Sequence, residues 1–110
     1  MSSGTDLLQA HVRAFNDGVR TGDWEPMLGR FATAAELRFE NAPAGPFRGL
    51  EAIRGAYREQ PPDDEIRLLG VQDRDERTAV AAFAWLNGGT GRLVLTHARG
   101  EITALTVVFD

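Results

Sequence analysis

The sequence predicts an α+β domain in which three helices from the first half of the chain pack over a mostly antiparallel sheet built largely from the second half. Three observations carry this expectation. Apolar residues recur at steps of three and four up to about residue 31 and again over 50–57, the period of a helix with one buried stripe. From about residue 65 the chain reads instead as runs rich in β-branched and aromatic residues, the composition of strands. The connections between those runs are short, which makes antiparallel neighbours the economical pairing.

Leu8, Val12, Phe15 and Val19 form the apolar stripe of the first helix. Thr5 is its expected N-cap, and Gly22 can close it in the left-handed conformation. Asp23 then caps a short second helix carrying Trp24, Met27, Leu28 and Phe31, with Pro26 tolerated in a first turn whose N–H groups lack partners anyway. From Ala35, Leu37 and Phe39 alternate with Glu36, Arg38 and Glu40, as in a half-buried strand. Pro43, Gly45, Pro46 and Gly49 mark an irregular loop; beyond it Leu50, Ile53, Ala56 and Tyr57 give a third helix that ends before Pro61-Pro62. Four strands follow, at about Glu65 to Gln72, Thr78 to Leu86, Arg92 to His97 and Ile102 to Phe109. In the last, Ile102, Ala104 and Val108 are expected on one face and Leu105, Val107 and Phe109 on the other, so both faces need cover. Three helices cover only one, and a second copy of the chain is expected on the outer face, making a homodimer.

The 110 residues fit one domain, 1–110, with residues 1–4 expected to be flexible. Met1-Ser2-Ser3-Gly4 lacks the basic patch and apolar stretch of a secretory signal, and no apolar run reaches bilayer length, so a cytoplasmic protein without a membrane partner is expected. The absence of Cys excludes disulfides, thiolate zinc sites and cysteine nucleophiles. All twelve basic residues are Arg, which reads as the coding bias of a GC-rich bacterial genome. A net charge of -4 with Arg scattered singly argues against nucleic acid as a partner. His11 and His97 stand in no metal-ligand motif, so neither a metal nor an organic cofactor is expected.

Three stretches add a likeness to a known group. They are Phe15-Asn16 to Gly22-Asp23-Trp24 with Met27-Leu28 and Phe31; Phe39-Glu40 through Phe47-Arg48-Gly49 to Ala52-Ile53; and Gly100-Glu101-Ile102 to Phe109-Asp110. With the element order, they resemble the SnoaL-like, nuclear transport factor 2-like superfamily, to which polyketide cyclases, ketosteroid isomerases, limonene epoxide hydrolases and scytalone dehydratases belong. The resemblance implies a curved, cone-shaped sheet of cystatin-like or α+β-barrel type, closed on one side by helices around a cavity suited to a small apolar or cyclic molecule. Val80, Phe83, Trp85, Leu93, Val94 and Leu95 are the strand residues available to line it, and the small side chains from Ala79 to Ala84 leave room. Strand parity is left open at this point.

By the same resemblance Glu40, nine residues before Gly49, stands where the isomerases hold a proton-shuttling carboxylate. Desolvation at the mouth of an apolar cavity would raise its pKa and suit a general base. From the residues alone, a solvated strand-end Glu paired with Arg38 fits as well. Tyr57 resembles a tyrosine of the isomerases' oxyanion network, and equally fits a core position. Two departures stand against isomerase chemistry. Phe15 replaces the first-helix tyrosine donor, and no Asp or Glu between Gly91 and His97 supplies the second. For limonene-type hydrolysis, Glu40 with Arg38 or Arg92 gives two parts but no second buried acid. For dehydratase-type chemistry His97 is the one candidate in the sheet, and both His97 and His11 read more simply as structural residues. The expected site is therefore Glu40 and Tyr57 as catalytic pair, with Phe15, Arg38, Phe83, Trp85, Val94 and His97 contacting substrate. Two functions remain open: a cofactor-free enzyme of isomerase, cyclase, hydrolase or dehydratase type moving a proton on a cyclic apolar substrate, and a non-catalytic ligand-binding or dimeric assembly domain.

Overall fold

In the computed structural model, which describes residues 3–110, the apolar stripe of the first segment forms helix α1, Gly4–Thr21. Its cap is Ser3 and not Thr5: the Ser3 hydroxyl accepts the Asp6 N–H at 3.0 Å, and the Asp6 carboxylate reaches back to the Ser3 N–H. Ser3 and Gly4 thus belong to the helix start, while Met1 and Ser2, also expected to be flexible, lie outside the described residues. At the other end Gly22 takes φ 81° and closes the helix as expected. Helix α2 is the single turn Glu25–Leu28, and the Asp23 carboxylate accepts the Glu25 N–H at 3.1 Å.

Strand β1 begins earlier than the alternation suggested, at Phe31, and runs to Glu40. Phe31 is therefore a strand residue and not part of α2. The loop that Pro and Gly seemed to forbid from regular structure contains a two-residue strand, β2 (Phe47–Arg48), paired antiparallel with Glu36 and Leu37. Helix α3 spans Leu50–Glu59 and stops before the two prolines. Strands β3 (Ile66–Asp73), β4 (Thr78–Trp85), β5 (Thr90–Ala98) and β6 (Glu101–Phe109) form the expected antiparallel meander.

The sheet order is β2-β1-β6-β5-β4-β3, with β1 and β6 parallel, so the first strand inserts beside the last. The sheet is curved but stays open between β2 and β3 and is not a closed barrel. Bulges at Leu69 in β3 and Thr103 in β6 interrupt the register. The second of these corrects the expected faces of the last strand: the extra residue puts Ile102 on the core face with Leu105 instead of opposite it.

All three helices cover one sheet face. Helix α1 packs across β3, β4 and β5, α3 across β1 and β2, and α2 bridges the helices. Asn16 ties α1 to the edge strand: its carboxamide donates to the Ile66 carbonyl and accepts the Ile66 N–H, both at 2.9 Å. Gly18 admits the Trp24 indole, whose ring atoms come within 2.5 Å of where a Cβ at 18 would lie. No described helix is long and apolar enough to cross a membrane.

Candidate functional site

Strand parity decides what the helices enclose. On the covered face, Phe39, Val107 and Leu93 stand in one row across β1, β6 and β5, and Phe109, Gly91 and Phe83 in the next across β6, β5 and β4. Gly91 has no side chain because none fits: a Cβ there would lie 2.5 Å from the Phe83 ring and from the Val108 carbonyl. Helices α1 and α3 bridge this floor without filling it, leaving a cavity of about 480 Å³, within the range of small-molecule sites.

Of nine aromatic residues in the chain, seven line the cavity, so it takes most of the large rigid side chains available. They brace one another. Trp85 lies 5.2 Å from Phe83, 6.4 Å from Phe15 and 6.0 Å from Phe109, nearly parallel to the last; Phe39 lies 6.2 Å from Phe109 and 6.3 Å from Phe47. Tyr57 packs at a tilt 5.0 Å from Trp24, which in turn leans on Phe15 at 5.8 Å. Such contacts add to burial and fix the rings against turning into the space.

The inner wall is nearly free of polar groups. Tyr57 is buried, and burial pushes its phenol well above the usual range, so it stays a neutral donor. His11, one turn before Phe15, is also in the wall, packed edge-on to Phe31 at 5.7 Å. It is 3% exposed, and its Nδ1 is buried without a hydrogen-bond partner. Burial, and secondarily the Arg30 charge, lower its pKa to about 4, so the imidazole is neutral at pH 7. Charge appears only at the rim, where exposed Glu59 and Gln60 end α3 beside Pro62 and face the Pro43-Ala44 loop.

No family model and no curated protein matches the sequence. Solved structures do. A proposed polyketide cyclase from Pseudomonas putida KT2440 matches with a TM-score of 0.76 over 100% of this chain and 93% of its own, at 18% identity. A proposed SnoaL-like polyketide cyclase from Jannaschia sp. CCS1 matches at 0.74 over 100% and 89%, with 13% identity. A proposed ketosteroid isomerase from Kribbella flavida DSM 17836 matches at 0.73 over 98% and 81%, with 16% identity. The chain shares the fold of these proteins. At these identities the likeness speaks for the SnoaL-like fold and not for the chemistry.

Within that SnoaL-like frame the structure separates the residues the sequence had grouped. Phe15, Tyr57, Phe83 and Trp85 line the cavity together. Glu40 does not: it is exposed on the outer face, in a row with Val108 and Arg92, because Phe39 beside it points inward and neighbours in a strand point oppositely. Arg38 is also outside, where it pairs with Glu36, and not with Glu40; Arg48 reaches the same Glu36 at 3.1 Å. These hydrogen bonds, that of Arg38 foremost, hold the Glu36 carboxyl below its usual range. Val94 faces outward opposite Val80. His97 is on the covered face but beneath the first turn of α1, where its Nε2 and an Asp73 carboxylate oxygen both crowd Gly4, away from the cavity. Sequence reasoning missed His11 as a wall residue, although its spacing of three from Leu8 and four from Phe15 places it on the buried stripe.

Proposed function

We propose that this protein binds one flat, uncharged, largely apolar ring compound in the cavity between its sheet and helices. The observation that carries the reading is a hollow of about 480 Å³ walled by seven aromatic residues, six braced against one another and Tyr57 held through Trp24, with no charged side chain in its inner wall. Aromatic walls match ring faces, and rings already held in place lose little freedom on binding. Trp85 in the wall provides the test: a bicyclic aromatic such as 2-methylnaphthalene should change tryptophan fluorescence saturably and raise the melting temperature, and should do neither in Phe83→Trp, which fills the floor. Saturable binding that the filled variant retains would remove the cavity from the proposal.

Proton transfer of the cyclase or isomerase type is the second reading, favoured by the names of the structural neighbours and by the neutral Tyr57 phenol in the wall. It needs a proton acceptor inside; Glu40 faces away, and the wall imidazole of His11, with its pKa lowered to about 4, is a weak base. Glu40→Gln should therefore shift the affinity for the ring probe less than twofold; a larger loss would return Glu40 to the site. The outer face, with half-buried Val80, Val94 and Thr106 between charged margins, is proposed to meet a second copy of the chain.

A further inference from the structure

His11 is a polar side chain without a polar partner. It stands in the cavity wall, 97% withdrawn from solvent, among Phe15, Phe31 and the aromatic floor, and its buried Nδ1 makes no hydrogen bond. An apolar residue would pack there without an unmet hydrogen-bonding group, so the imidazole weakens the fold unless something outside the chain satisfies it. Each buried group left unpaired in this way calls for a partner; His97 Nε2, beneath the first turn of α1, is another, but His11 stands in a cavity wall, where a ligand can supply one. Resting on the reading of the cavity as a ligand site, we infer that His11 is its polar anchor, accepting a hydrogen bond from the hydroxyl group of an uncharged ring compound such as a phenol.

The chemistry of the wall narrows the class. A neutral imidazole offers one acceptor nitrogen and one N–H donor; a hydroxyl can meet either, whereas a simple ether or ketone can meet only the N–H. A carboxylate or phosphate on the ring would enter a wall with no cation to receive it. The oxygen of the same hydroxyl group can also accept from the Tyr57 phenol in the same wall, so its recognition needs no buried charge.

The test compares two probes of nearly the same shape, 2-naphthol and 2-methylnaphthalene, by calorimetric titration against the intact protein. In the wild type the naphthol should bind at least as tightly. In His11→Phe, with its fold checked by circular dichroism, the ratio of the two affinities should move roughly tenfold or more toward the methyl compound, the size of one lost hydrogen bond. The wild type supplies an independent measurement: the ¹⁵N resonances of the His11 ring should shift on adding naphthol and not on adding the methyl compound. An unchanged affinity ratio in His11→Phe, or ¹⁵N resonances that ignore naphthol, overturns the anchor while leaving the cavity as a site. Failure of both probes to bind the wild type overturns the cavity reading and the anchor with it.

Discussion

Replacing His11 by Phe should flatten the acid side of the stability profile. The imidazole has a pKa of about 4 in the fold, lowered chiefly by burial and then by Arg30, against 6.5 when unfolded. Between those values the unfolded chain holds a proton that the folded chain refuses. Titration of His11 therefore leaves stability untouched above pH 6.5 and lowers it progressively as pH falls through 6.5 toward 4. At ~1.4 kcal/mol per unit the whole window amounts to about 3 kcal/mol, and most of it, about 2–3 kcal/mol, falls between pH 7 and 4.5. Urea unfolding of wild type and His11→Phe at those two pH values measures the difference directly. Carboxylates that the fold holds below their usual range, Glu25 by Arg54, Glu36 by Arg38 and Asp75 by the Arg77 N–H, are common to both proteins and cancel in the comparison. At pH 7 the variant should be as stable as the wild type or up to ~2 kcal/mol more so, since it removes an unpaired polar group. Equal pH slopes in the two proteins, or a His11 ring that titrates near 6.5 by NMR, would refute the reasoning.

Asn16→Leu should cost about 2–3 kcal/mol, because it leaves both backbone groups of Ile66 without the partners that join α1 to the edge strand. Thermal unfolding would show this as a fall of about 10 °C or more, and an unchanged midpoint would mean that water replaces the carboxamide fully. Gly18→Ala lies inside a helix, where propensity alone predicts a gain of up to ~1 kcal/mol. The Trp24 ring within 2.5 Å of the new methyl should reverse the sign, giving a net loss of ~1–2 kcal/mol by urea unfolding; a stabilised variant would show that the indole moves freely. Light scattering at micromolar concentration should return the mass of two chains, and a single-chain mass would remove the proposed partner from the outer face.

The parts of this fold that were legible in the sequence are those governed by local periodicity. The stripe Leu8, Val12, Phe15 and Val19, the closing Gly22 and the four later strands each depend on residues within a turn or a pair of neighbours, and each stands close to where the pattern put it. Three features escaped. Strand β2 is two residues long and has no period to read. The parallel pairing of β1 with β6 joins segments more than sixty positions apart, beyond any argument from short connections. The Thr103 bulge shifts parity by one residue, which moved Ile102 to the opposite face. The site was legible in its apolar half only. Alternation along β1 already put Phe39 and Glu40 on opposite faces, and with Phe39 in the core Glu40 must point out; the likeness to the isomerases argued otherwise, and the pleat prevailed. His11 read only as a structural residue beside the stripe, and spacing does not reveal whether a buried imidazole finds a partner.

What the arrangement selects against follows from where its charges sit. Glu36 with Arg38 and Arg48, and Arg54 with Glu25 and Glu51, form clusters on the outside of the sheet and helices, each a half-buried hub with exposed partners. Such pairs contribute little to stability, but every charge placed there is one kept out of the hollow. Inside, burial keeps both titratable wall residues uncharged at pH 7, pushing Tyr57 up and His11 down. A charged ring compound entering this space loses hydration and gains no counter-ion, whereas a neutral one loses little and meets ring faces already held in place. If the cavity takes a ring compound as proposed, discrimination by charge comes from the absence of ionised groups in the inner wall, and discrimination among neutral rings falls to the Tyr57 hydroxyl and an imidazole nitrogen of His11.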